Sequence, residues 1–146
     1  MINPRLAQYA TIYLRLALGS AYLSSVASRF GVFGAGRGWG NFQNFLAYTA
    51  KLNPFLPLSF IPALGWIVTI VETALAVLLI IGFQIRVTAF ASGVMLILFA
   101  IGMSLGVGVI SPFDYSVYTA SAASFLLAAC NQSPLSVDSL KERTRH

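Results

Sequence analysis

Charged residues are scarce in this sequence. They make up 9% of the 146 residues, against about a quarter in an ordinary globular domain, while apolar residues make up 58%. A chain of this length cannot bury so much apolar surface in a core of its own. The composition therefore excludes an ordinary soluble protein and predicts one domain, residues 1–146, whose solvent is a lipid bilayer.

The sequence also has only one cysteine and one histidine. Cys130 cannot form a disulfide within the chain or a CxxC redox pair, and His146 is the last residue. These counts exclude a Ser-His-Asp site, an internal histidine ligand for haem, and a metal centre built on cysteine and histidine. Redox chemistry on this chain would need a bound cofactor or a partner protein.

The net charge of +5 comes from nine basic and four acidic residues. The basic residues are scattered between apolar stretches, which is typical of membrane-flanking anchors and not of a nucleic-acid surface. Those near the termini and the turn between the second and third apolar stretches are Arg5, Arg86, Lys141, Arg143 and Arg145, against Arg29, Arg37 and Lys51 on the other side. The positive-inside rule then predicts that both termini are cytoplasmic.

Four apolar stretches approach the ~20 residues that an α-helix needs to cross ~30 Å of hydrocarbon. They cover residues 6–28, 60–83, 87–110 and 112–131. Between the first two, residues 39–52 repeat apolar side chains at helical spacing, which predicts an amphipathic helix in the membrane interface. The expected fold is therefore all-α, an integral membrane four-helix bundle with an interfacial helix between helices 1 and 2.

The first two stretches each carry a stripe of polar and small residues at helical spacing. In the first stretch these residues are Gln8, Thr11, Arg15, Gly19, Tyr22, Ser25 and Arg29. In the second they are Gly65, Thr69, Glu72 and Ala76. Lipid cannot solvate such stripes, so both are expected to face the interior of the bundle.

Arg15 and Glu72 are expected to pair across that interior. If the two helices run antiparallel, the charges fall at similar depth, and either alone would cost about 2.5–3.5 kcal/mol in the hydrocarbon. An arginine–carboxylate pair relieves much of this cost through charge-assisted hydrogen bonds. Two interpretations stay open: a structural clasp between helices, or the wall of a polar pocket for a small ligand or a proton path.

Further polar candidates lie at the outer end of the predicted bundle. Ser111-Pro112 is typical of a helix start, at which Asp114 would act as the capping partner. Asp114 shares a face with Tyr118, so the alternative is a pocket mouth formed by these two residues with Arg29. The side chains expected to anchor the bundle at the membrane interface are Trp39, Trp66 and Arg86.

Small residues in the last two stretches predict close contacts between helices. Their patterns are Ala89-xxx-Gly93 and Gly102-xxx-Gly106 in the third and Ala120-xxx-Ser124-xxx-Ala128 in the fourth. Such contacts form either within one bundle or between the subunits of a homo-oligomer.

Several of these residues together resemble the DoxX family. The resemblance rests on Arg15-Leu-Ala-Leu-Gly19 with Tyr22 and Arg29, on Glu72, on Gly82-xxx-Arg86-xx-Ala89, and on Leu135-Ser136-Val137-Asp138. It implies a small four-helix protein of the prokaryotic inner membrane. In some relatives such a protein is a subunit associated with quinone-linked redox enzymes.

The function implied by this resemblance is that of a small subunit in a membrane-associated, quinone-linked redox complex. Without a usable cysteine or histidine, the chain would act with a bound quinone or a redox partner protein and not as an enzyme alone. Arg15 or Tyr22 would then hydrogen-bond a quinone carbonyl, and Glu72 would accept a proton. The alternatives are a non-catalytic assembly subunit and, less favoured, a transporter of small molecules or ions.

Overall fold

The computed structural model describes residues 3–34, 36–130 and 135–137. Within these residues the chain forms six α-helices, which confirms the all-helical class for the described part. They are α1 Pro4–Arg29, α2 Phe42–Leu52, α3 Ile61–Ile81, α4 Ile85–Gly106, α5 Ser111–Asp114 and α6 Val117–Ala129. A 3₁₀ turn, Leu58–Phe60, leads into α3.

Local sequence sets where the long helices begin and end. The Asn3 side chain caps α1 by accepting a hydrogen bond from the backbone N–H of Arg5 at 3.0 Å. Pro62 lies in the first turn of α3, where its missing N–H costs nothing. α3 ends at Gly82, whose left-handed conformation (φ 72°) lets its N–H bond to the Leu78 carbonyl at 3.0 Å.

Two of the described helices are long and apolar enough to cross a membrane. They are α3 with its preceding turn, Leu58–Ile81, and α4, Ile85–Gly106. Only 33% of the apolar window of each is buried within the fold, so most of the window is at least partly exposed. A core helix of a soluble protein would be mostly covered, whereas outward apolar faces suit lipid as the solvent.

The predicted fourth span, residues 112–131, is not one helix. The short α5 is followed by a break at Ser116, which has a φ of 54°, and α6 then has only 13 residues. Thirteen residues rise ~20 Å, which is less than the ~30 Å of a bilayer core. α1 has 26 residues but is too polar to qualify. Length and composition therefore identify two candidate crossings among the described helices, and the count of four stays a prediction.

The long helices pack around one apolar core, with α1 on α3 and α4 on α6. Its buried residues are Leu18, Tyr22, Leu75, Ala76, Leu79, Ile85, Ala89 and Leu127. Glycines permit the close approach, because a Cβ on Gly19 would lie 2.6 Å from Ile80 Cγ1 and one on Gly93 would lie 2.8 Å from the Phe125 ring. The small-residue pattern of the third predicted span thus packs within the bundle.

α2 packs against α3 and α4 and falls within the predicted segment 39–52, and its place in the membrane interface stays a prediction. Its contact with α4 lies over two glycines of α4, Gly102 and Gly106. A Cβ on Gly102 would meet Leu52 Cβ at 3.6 Å, an ordinary contact. A Cβ on Gly106 would collide with the Lys51 carbonyl and lie 2.6 Å from Leu52 Cα. The backbones of α2 and α4 are therefore in direct contact at Gly106.

Candidate functional site

Both predicted polar faces lie inside the bundle. On α1 the buried members are Thr11, Arg15, Gly19, Tyr22 and Arg29, with Ser25 partly buried, and on α3 they are Gly65, Thr69, Glu72 and Ala76. Gln8 is the exception, since it is exposed. The periodicity of the sequence thus identified the inward faces of both helices.

An ion pair between Arg29 and Glu72 is the most polar feature of this interior. Arg29 is the last residue of α1 and is 2% exposed, and Glu72 lies in the middle of α3 and is also 2% exposed. Arg29 Nη2 contacts Glu72 Oε2 directly. Arg29 Nη1 donates to Thr69 Oγ1 at 2.8 Å, and Nη2 donates to Ser25 Oγ at 3.3 Å.

α2 contacts the arginine of this pair through Phe45. The guanidinium carbon of Arg29 lies 3.8 Å from the centroid of the Phe45 ring, so the aromatic face stabilises the cation where water is excluded. Within the described part of the chain, the buried Nε of Arg29 has no hydrogen-bond acceptor. The site is therefore formed by side chains of α1, α2 and α3, and one buried N–H donor, the Nε–H of Arg29, has no acceptor among the described residues.

The expected pair between Arg15 and Glu72 is wrong. Arg15 Nε donates to the Leu79 carbonyl at 3.0 Å, and Nη2 donates to the carbonyls of Ile80 at 2.9 Å and Leu135 at 3.3 Å. Helical side chains lean towards the N-terminus of their own helix. Arg15 therefore leans towards the end where α1 begins and meets the last turn of α3, ~10 Å along the axis from Glu72.

Hydroxyl groups connect α1 to α4 and α6 in the middle of the bundle. Tyr22 Oη lies 2.9 Å from Ser92 Oγ, and Ser92 Oγ lies 3.1 Å from Ser124 Oγ. Ser124 donates in turn to the Ala120 carbonyl at 2.9 Å. Ser92 and Ser124 are fully buried. Sequence reasoning missed Ser92 altogether and gave Ser124 only a packing role, because a serine among small residues has the same pattern as a packing motif.

A groove of about 590 Å³ runs along the outside of α1 and α3 beside the ion pair. Its lining residues are Val26, Phe30, Trp66, Thr69, Ile70, Thr73, Ala74, Val77 and Leu78. The hydroxyl protons of Thr69 and Thr73 are given to the carbonyls of Gly65 and Thr69 at 2.8 Å. Among these lining residues Trp66 carries the remaining donor, an indole N–H, and the surface of the groove itself is almost wholly apolar.

The two tryptophans predicted as interfacial anchors belong to an aromatic cluster around α2. Trp66 is 50% exposed and lies 4.7 Å from Phe42 between ring centroids. Trp39 lies 5.5 Å from Phe45, the residue that covers Arg29. Arg86 is exposed at the start of α4. Anchoring at a membrane interface stays a prediction for all three residues.

Asp114 and Tyr118 do not reach the polar interior, since both are exposed. α5 begins at Ser111, within one residue of the predicted helix start, but the cap position is Ile110 and no side chain caps this helix. The break at Ser116 separates Asp114 from α6, so the two predicted partners are not on one continuous helix. None of the contacts described for Arg29 involves Asp114 or Tyr118, and the pocket mouth of these residues with Arg29 stays a prediction.

Among the described residues, no three histidine, cysteine, aspartate or glutamate side chains come together as metal ligands. The model of the family described as methylamine utilisation protein MauE matches residues 7–114, more than half of the chain. No curated protein and no solved structure matches. The family match overturns the resemblance to DoxX, which rested on short motifs.

Proposed function

Since this chain belongs to the MauE family of membrane proteins, we propose that it is a membrane-embedded accessory protein of a redox system for methylamine utilisation. In this role it supports the maturation of a methylamine-oxidising enzyme or the transfer of electrons from it. Its own residues bind and position, and the redox chemistry belongs to a partner protein or to a bound quinone.

The buried Arg29–Glu72 pair is the observation that supports this proposal beyond the family match. Each charge alone would cost about 2.5–3.5 kcal/mol in hydrocarbon, and a plain structural bundle is built more cheaply from apolar side chains. Ionisable groups inside membrane proteins usually mark a site that binds or moves charge. The pair adjoins the groove through Thr69, which bonds Arg29 and lines the groove.

For the membrane arrangement we propose four crossings: α1, α3, α4, and α5 with α6 together. The polar face of α1 is buried against the bundle, which allows this helix to sit in lipid despite its charges. Both termini would then lie on the cytoplasmic side of a prokaryotic inner membrane, as the distribution of lysine and arginine favours. A homo-oligomer is compatible with this arrangement.

For the cofactor we propose a lipid-soluble quinone in the groove. Arg15 and Tyr22 are buried and donate within the bundle, so the carbonyl-binding role is better assigned to Trp66. The rings of Phe30 and Trp66 lie 6.2 Å apart between centroids and offer aromatic contact to a quinone ring. Ile70 and Val77 extend the groove as an apolar bed for the isoprenoid tail.

The test is native purification of the tagged protein from membranes of its own organism, followed by mass spectrometry of proteins and lipids. We expect a redox enzyme or its maturation factor to co-purify, and deletion of this chain to lower the level of that enzyme. A preparation with no enriched protein and an unchanged methylamine-oxidising activity in the deletion strain would overturn the accessory role. Absence of quinone would overturn the cofactor assignment alone.

A further inference from the structure

α2 covers Arg29 of the Arg29–Glu72 pair and buries few of its own side chains. Of its 11 residues, those buried are Phe45 and Thr49. Phe45 provides the ring over Arg29, and Thr49 donates to the Phe45 carbonyl at 2.8 Å within the same helix. Segments with few buried side chains open locally at low free energy, well below global unfolding.

The segment that precedes α2 has the composition of a hinge. Its residues in the left-handed conformation are Gly31, Gly34, Gly36, Gly38 and Gly40. Glycine adopts this conformation without a steric penalty and moves between backbone regions more easily than other residues. After α2 the chain passes Pro54 and Pro57 before α3 begins. α2 is therefore a short rigid helix between a flexible connection and a stiff one.

The faces of α3 and α4 under α2 are lined by glycine. A Cβ on Gly65 would collide with Leu46, and Gly102 and Gly106 lie under Leu52. At these three positions α2 rests closely on the backbone of α3 and α4. The helix can therefore lift as a unit there without displacing a side chain of either neighbour.

We propose that α2 is a hinged lid over the Arg29–Glu72 pair, and that its opening admits water and polar ligands to these two charges. The closed lid excludes solvent, since both residues are 2% exposed. Lifting α2 removes the Phe45 ring from Arg29 and leaves the bonds to Glu72 and Thr69 in place. The inference goes beyond the proposed redox role and does not depend on it.

Thiol labelling tests the opening. In a Cys130→Ser background, three single variants are compared in lipid nanodiscs: Thr49→Cys on the buried face of α2, Lys51→Cys on its exposed face, and Ser124→Cys in the core. We expect a maleimide to label the Thr49 variant at least tenfold more slowly than the Lys51 variant and at least tenfold faster than the Ser124 variant. Labelling as slow as Ser124→Cys would overturn the opening, and labelling as fast as Lys51→Cys would overturn the closed state.

A crosslink tests the hinge. The ideal Cβ of Gly102 lies 3.6 Å from Leu52 Cβ, within the range of disulfide-bonded cysteines, so Leu52→Cys with Gly102→Cys can tie α2 to α4. Amide exchange of residues 42–52, read by mass spectrometry, should slow at least tenfold in the oxidised double variant and recover on reduction. The single variants under the same oxidant are the controls. Exchange that does not respond to the crosslink would overturn the lid.

Discussion

Arg15 and Arg29 occupy the same face of α1 and bind different acceptors. Both side chains lean towards the start of the helix. For Arg29, at the end of α1, this direction leads into the bundle and to Glu72. For Arg15 it leads to the last turn of α3, where the carbonyls of Leu79 and Ile80 attract a cation. The two arginines are therefore not interchangeable.

Exchange of charged for neutral residues should separate the two roles. Glu72→Gln leaves Arg29 buried without its counter-charge, and we expect a loss of about 3–5 kcal/mol in the free energy of unfolding, measured by detergent titration in mixed micelles. The double variant Arg29→Gln/Glu72→Gln should recover more than half of this loss. Arg15→Gln/Glu72→Gln should recover none, and equal recovery in both double variants would contradict the observed pairing.

Trp66 allows a test of the groove that keeps its shape. Trp66→Phe retains an aromatic ring and removes the indole N–H, whereas Trp66→Leu removes both. If a quinone carbonyl accepts that N–H, Trp66→Phe should weaken quinone binding by about 1 kcal/mol, roughly fivefold, and Trp66→Leu by more. The measurement is the thermal shift of the purified protein across a quinone titration. If the thermal shift across the quinone titration is the same in both variants as in the unmodified protein, the groove is not the quinone site.

Glycine positions decide how the elements approach one another, and they allow a graded prediction for α2. Gly106→Ala places a methyl group against the backbone of Lys51 and Leu52, which cannot rotate away, so we expect a loss of about 1–3 kcal/mol in stability. Gly65→Ala meets the flexible end of Leu46 and should cost less. Gly102→Ala, with an ordinary 3.6 Å contact, is the matched control and should be neutral or stabilising. Thermal unfolding in detergent measures all three.

The break between α5 and α6 depends on the backbone of Ser116, which has a φ of 54°. A β-branched residue is strained in this left-handed region by about 1–2 kcal/mol, whereas glycine is not. Ser116→Val should therefore lower the free energy of unfolding by that amount, and Ser116→Gly should maintain or raise it. The same detergent titration measures both. If Ser116→Val is the more stable variant, the two helices are joined and the predicted single span is restored.

The sequence predicted some elements well for physical reasons that particular residues show. The polar faces of α1 and α3 were predictable because lipid excludes Arg15, Thr69 and Glu72 from the outside, and this leaves a clear period. The break at Ser116 was not, because serine carries no left-handed signal of the kind that Gly82 gives. The partner of Glu72 was not predictable either, since helical spacing gives a face but not the direction and reach of an arginine.

At the scale of the whole molecule, the described helices expose many large apolar side chains and bury several polar ones. Exposed residues such as Ile67, Ile70, Phe90 and Leu98 have between 57% and 63% of their surface uncovered. The polar interior of Arg29, Glu72 and the hydroxyl groups lies behind them. Composition alone predicts that the surface of such a molecule is largely apolar. Its family, however, came from the match to MauE over residues 7–114 and not from the short motifs that suggested DoxX.

The hydroxyl groups between the helices have one further consequence for the whole bundle. When Ser124 gives its proton to the Ala120 carbonyl, it accepts from Ser92, and the Ser92 hydroxyl then accepts from Tyr22. Because each hydroxyl has a single proton, this donation gives the chain one order, from α1 through α4 to α6. The three helices are therefore connected by a chain of hydrogen bonds in which every hydroxyl donates in the same direction.

This direction of donation predicts that replacing the first hydroxyl of the hydrogen-bond chain costs less stability than replacing the last one. Tyr22→Phe removes the first donor and strands no proton, so it should cost about 0.5–1.5 kcal/mol. Ser124→Ala leaves the buried Ser92 hydroxyl without its acceptor and should cost about 1–3 kcal/mol. Unfolding free energies of the two variants in the same micelles give the comparison. A larger loss of unfolding free energy for Tyr22→Phe would show the opposite direction, with Tyr22 accepting from Ser92.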